Sequence, residues 1–167
     1  MKNNSFSRIS TAATHMMILC GLLALGVSAM AQSNDAQSQA GRLQGAWRLQ
    51  VTVRDCQTGA ALRTFPALFT FAKGGTLTVT TAGQLPSLST PGLGVWRHTG
   101  GDTYSAVSEA FVFSPAGAWI QTHRLTRAIE IGNDADEFTD TVTLQIFDTN
   151  GTLIVTGCAT SVAHRFE

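Results

Sequence analysis

The sequence predicts an all-β domain, an eight-stranded antiparallel up-and-down barrel, and three observations carry that prediction. From Leu43 onward Thr and Val are abundant, and no apolar stripe at the three-and-four spacing of a helix persists. Runs of alternating apolar and polar residues are separated by turn residues at short, regular intervals. Phe-x-x-x-Gly recurs three times: Phe71 with Gly75, Phe113 with Gly117 and Phe147 with Gly151. An aromatic that ends an incoming strand, followed by a glycine suited to a positive-φ turn position, describes a repeated hairpin. Hairpins in series form a meander, and pairing its first strand with its last removes both exposed edges.

The first strand is the cleanest. Trp47, Leu49, Val51 and Val53 alternate with Arg48, Gln50, Thr52 and Arg54, so one face is buried and the other solvated. The second strand is expected over 65–71 and the third over 76–81, followed by a loop over 82–92 that contains Pro86 and Pro91 and forms a mobile rim. The fourth covers 94–99, Gly100-Gly101-Asp102 turns the chain, and the fifth covers 103–113. The sixth runs over 118–131 and is long enough to hold a bulge. An acidic turn at 132–137 leads to the seventh strand, 138–147, and Asn150-Gly151, the strongest turn dipeptide, leads to the eighth, 152–166. Trp47, Trp96 and Trp119 are all assigned to the core.

The domain is preceded by a different kind of sequence. Lys2 and Arg8 lie ahead of the apolar run 16–27, which is shorter than the roughly 20 residues a membrane-spanning helix needs. Ala29 and Ala31 give the small-x-small pattern of a cleavage site, so 1–31 reads as a secretory signal peptide and the protein as secreted or periplasmic. Residues 32–41, small and polar, read as a disordered lead-in to a barrel domain over 42–167. Cleavage removes one of the three cysteines, and the remaining pair, Cys56 and Cys158, reads as a disulfide in an oxidising compartment. With strands one and eight as antiparallel neighbours, the two cysteines come together at the barrel seam. A loop of about 100 residues closed in this way contributes about 3–5 kcal/mol. Losing Lys2 and Arg8 leaves nine basic residues against eleven acidic ones, with Lys73 the one lysine among them. Such a balance offers no basic face for nucleic acid and no polybasic patch for a membrane surface. The Thr-, Arg- and Gln-rich outer strand faces also argue against an integral outer-membrane barrel.

Gly45-Ala46-Trp47, in the first strand of an eight-stranded meander, resembles the Gly-x-Trp motif of the lipocalin-like (calycin) barrels. The chain also resembles short secreted bacterial proteins of that architecture. The resemblance implies that Trp47 plugs the closed end of the barrel and that a basic residue near the last strand, Arg165 or His164, packs across it. A cation–π contact of this kind is worth about 0.5–2 kcal/mol. The apolar inner walls and the long 82–92 loop point to a small apolar ligand in the barrel mouth.

Catalytic chemistry is harder to find. Glu109 lies mid-strand, and its parity groups it with Val107, Phe111 and Phe113, a mostly apolar set. A carboxylate pointing into a barrel would have a raised pKa and suit acid–base work, with Arg124, His123 or Arg97 as partner. An outward glutamate or a structural ion pair is the alternative. His98, His123 and His164 sit on different strands without metal-ligand spacing, Asp134, Asp136 and Glu137 do not continue into a calcium loop, and neither a metal nor a cofactor is expected. No Gly-x-Ser-x-Gly and no phosphate-cradling glycine loop occurs. Three functions therefore remain in view: an exported barrel that binds a small apolar ligand, an isomerase- or cyclase-type enzyme built on an interior carboxylate, and a scaffold that acts through its surface. An unfilled interior favours the first two, and a filled one the third.

Overall fold

A computed structural model describes residues 41–166 of the protein. The expected signal peptide, 1–31, and all of the expected lead-in except Gly41 lie outside the described residues. Eight strands follow in chain order: β1 (Gly45–Arg54), β2 (Ala61–Phe71), β3 (Thr76–Thr81), β4 (Gly92–Gly100), β5 (Thr103–Phe113), β6 (Trp119–Ile131), β7 (Glu137–Phe147) and β8 (Leu153–Arg165). Each pairs antiparallel with the next, and β1 pairs with β8, so the sheet is a closed barrel. A 3₁₀ turn at Pro86–Leu88 lies between β3 and β4. A register shift between Val112 and Phe113 bulges β6 at its start.

The repeated glycines all sit in the turns they were expected to make. Gly75, Gly117 and Gly151 have φ of 90°, 82° and 81°. Their N–H groups donate to the carbonyls of Ala72, Ser114 and Asp148, at 3.2, 2.9 and 3.1 Å. The 82–91 loop is less free than a mobile rim. Ala82 N–H donates to Pro66 O at 3.0 Å, Thr90 N–H donates to Phe111 O at 3.0 Å, and Phe111 N–H returns a bond to Thr90 Oγ1 at 3.0 Å. The segment is thereby tied to β2 and β5.

The core fills one end of the barrel. Trp47 and Phe138 meet edge to face at 4.8 Å, Phe71 packs on Phe138 at 5.9 Å and on Trp96 at 5.8 Å, and Trp96 reaches Tyr104 at 6.0 Å. Both buried indoles are satisfied, Trp47 Nε1 donating to Leu43 O at 2.9 Å and Trp96 Nε1 to Ala72 O at 3.1 Å. Such ring pairs add about 0.5–1.5 kcal/mol each beyond their area burial. The second Gly-x-Trp, Gly94-Val95-Trp96, feeds the same cluster. A Cβ at Gly94 would stand 2.0 Å from Val107 O, so only glycine lets β4 and β5 approach at that point.

Arg165 locks this end. Its guanidinium lies 4.2 Å from the Trp47 ring. It donates to Gln44 O at 2.6 Å, to Arg42 O at 2.5 Å and to Ala135 O at 2.7 and 2.9 Å. One side chain thus joins the segment before β1, the β6–β7 turn and the tryptophan. Gly45 has φ 125°, and a Cβ there would meet Arg165 Nη1 at 2.8 Å, which ties the glycine of the Gly-x-Trp motif to the arginine. His164 points outward, 3.4 Å from Glu137.

Candidate functional site

The other end of the barrel is open. Connections β1–β2, β3–β4, β5–β6 and β7–β8 surround its mouth, and the Cys56–Cys158 disulfide, with Cα atoms 5.3 Å apart, clasps the β1–β8 seam beside it. Inward residues here include the small or slender Val51, Ala110, Val142, Gly157 and Ala159 beside the larger Phe65, Leu125, Leu144 and Ile146. The space they leave is a cavity of about 240 Å³, walled mainly by aliphatic side chains with Phe65 and Phe69.

Between this cavity and the aromatic plug runs a polar layer. Arg127 on β6 and Asp140 on β7 form an ion pair at 2.5 Å, with side-chain exposures of 3% and 0%. The Arg127 guanidinium also lies 4.5 Å from the Phe69 ring. Ser161 on β8 is directly opposite Asp140. Arg127 Nε, Asp140 Oδ1 and Ser161 Oγ are buried without hydrogen-bond partners among the described residues. Ser108 on β5 completes the layer: it lines the cavity, is 2% exposed, and its hydroxyl has no hydrogen-bond partner among the described residues. Higher on the wall, His123 places Nε2 3.3 Å from Gln121 Oε1, and burial pulls its pKa below the ordinary 6.5, so the ring is uncharged at neutral pH.

The expected catalytic group is not assembled. Glu109 shares a face with Val107, Phe111 and Phe113 as its parity required, but that face is the outer one. Its side chain is 51% exposed and lies 3.6 Å from Arg124, which is also outward, while His123 lines the interior. The reason is that the alternate face is anchored in the core: Tyr104 joins the aromatic plug, Val112 is buried, and Ala106 and Ser108 between them are small where Ala106 stands opposite both Trp96 and Arg127. Trp119 is corrected in the same way: it is 43% exposed and packs edge to face on Phe111 at 5.7 Å outside the barrel. His98, His123 and His164 remain apart, and no group of three or more His, Cys, Asp or Glu suited to a metal occurs among the described residues.

Sequence reasoning missed the interior ion pair, although its own parity rule reaches it. Arg127 shares its face with Leu125 and Ile129, and Asp140 with Phe138 and Val142. Two opposite charges on apolar faces of adjacent strands are the signal.

No protein-family profile matches the chain, and no curated protein does. Among solved structures, it is similar to the crystal structure of Rv2717c from M. tuberculosis, at 14% sequence identity and a TM-score of 0.38, covering 75% of this chain and 94% of that one. Among the described residues no helix is long and apolar enough to cross a membrane.

Proposed function

We propose that the protein is an exported, lipocalin-like barrel that holds a small, largely apolar ligand in the cavity at its open end. The observation that carries this reading is the unfilled volume of about 240 Å³ above a fully packed plug. Protein interiors normally leave few voids larger than a water molecule, and a dry apolar cavity of about 150 Å³ takes up benzene. The space here therefore suits a monocyclic aromatic or a short aliphatic molecule, on the order of ten heavy atoms. The disulfide at the seam, in a chain headed by a secretory pattern, supports an oxidising destination.

Calorimetric titration with toluene tests the reading. Saturable binding to the disulfide-bonded protein is expected, together with its loss in Ala110→Trp, where an indole occupies the cavity. The absence of toluene binding to the unaltered protein, or undiminished binding to a folded Ala110→Trp variant, contradicts it.

A further inference from the structure

We infer that the cavity selects an uncharged ligand with one polar end, which enters polar end first and hydrogen-bonds to Ser108 at the polar floor. This rests on the reading of the cavity as a binding site. The first ground is the Ser108 hydroxyl, which faces the cavity from a residue 2% exposed, with no partner among the described residues. The hydroxyl is reachable from the cavity, unlike the sealed Arg127 Nε, Asp140 Oδ1 and Ser161 Oγ, so a ligand hydroxyl or carbonyl can give it a hydrogen bond there. The position is fixed by register. Ser108 lies opposite Gly94 and Leu125, one inward step above Ala106 and the aromatic plug, so it marks the bottom of the available space.

The second ground is charge. The titratable groups on the cavity wall are Arg63, His123 and Arg127. Arg127, at the floor, is neutralised by Asp140 at 2.5 Å. His123 is uncharged at neutral pH. Arg63 is at the mouth, donating to Gly83 O at 3.2 Å and lying over the Phe65 ring at 5.1 Å, where solvent screens it. A carboxylate driven to the floor would therefore be desolvated with the Arg127 cation already paired to Asp140. A neutral hydroxyl meets no such penalty. Ser108 accepts or donates as the ligand requires.

Three ligands of matched shape separate the possibilities: toluene, p-cresol and p-toluate, titrated at pH 7.5 against the disulfide-bonded protein. The phenol is uncharged there, as its pKa is about 10. The expected order places p-cresol first and p-toluate at least about tenfold weaker than it. Ser108→Ala, a small change that leaves the fold intact, is expected to weaken p-cresol about threefold to tenfold and to leave toluene within about twofold. Asp140→Asn, where it folds, releases the Arg127 charge and is expected to raise p-toluate affinity relative to p-cresol. Equal or tighter binding of p-toluate to the unaltered protein overturns the inference, and its loss in Arg63→Gln would place the carboxylate at the mouth instead. Equal weakening of toluene and p-cresol by Ser108→Ala overturns it as well. Toluene binding without a preference for p-cresol removes the inference and leaves the cavity reading standing, whereas failure of all three ligands removes both.

Discussion

The two ends of this barrel follow the same alternating pattern and reach opposite outcomes. At the closed end the inward positions carry Trp47, Phe71, Trp96, Tyr104 and Phe138, buried rings that pack against one another. At the open end Phe65, Leu125, Leu144 and Ile146 are interspersed with the smaller Val51, Ala110, Val142, Gly157 and Ala159, and a cavity remains. Hydrophobic alternation decides that a strand faces inward. Side-chain volume decides whether the interior fills, because an eight-stranded barrel is just wide enough for side chains to fill it or for one small ligand to occupy it. The ends are also fastened differently. Arg165 gathers backbone carbonyls around a tryptophan at one, and a covalent bond closes the seam at the other.

The sharpest way to break this comparison is to empty the plug. Trp47→Ala is expected to cost about 3–5 kcal/mol of unfolding free energy in urea titrations. Ile146→Ala, on the cavity wall, is expected to cost about 2 kcal/mol or less, because its removed atoms face space that is already empty. Similar losses at both sites would mean that the ends are packed alike. Next in size is the seam: converting Cys56 and Cys158 together to Ser is expected to cost about 2–5 kcal/mol, measured against the oxidised parent.

Over-packing gives the complementary test. Ala163, fully buried between Leu49 and Phe138 of the neighbouring strands, should not accept Leu without a loss of about 1–3 kcal/mol. Ala110→Leu faces the cavity and should lose nothing, with a gain of up to about 1 kcal/mol.

The smallest expected effect is on pH dependence. Burial holds the folded-state pKa of His123 below its ordinary 6.5, so below that value the unfolded chain binds the extra proton. Stability from this group is complete above pH 6.5 and declines as pH falls through the lowered folded value. Thermal midpoints should therefore fall more between pH 7 and pH 5 in the parent than in His123→Gln. An identical fall in both would place His123 in water rather than in the wall.

Much of the fold was legible because barrel formation depends on features that sequence displays directly. Alternation in 47–54, the Phe-x-x-x-Gly spacing and Asn150-Gly151 are local signals, and the cysteine pair needs only the β1–β8 seam to make sense. The interior was less legible. Glu109 sits among Val107, Phe111 and Phe113, and counting hydrophobic residues turns that face inward. The inward face is instead that of Tyr104, Ala106, Ser108 and Val112, with small Ala106 set opposite Trp96 and Arg127 on the flanking strands. That is a cross-strand arrangement, invisible along a single strand. Ser108 and Asp140 were passed over for a related reason: a polar residue on an inward face looks like an exception until its neighbours across the sheet are known.

The most direct measurement of the central contrast is a crystal of the disulfide-bonded protein under xenon pressure, since xenon occupies apolar voids of this kind. Xenon density is expected in the open half, beside Leu125, Val142 and Leu144, and none among Trp47, Phe71 and Phe138. An empty open half, or xenon within the aromatic plug, would contradict the division of the barrel into a packed end and an open end.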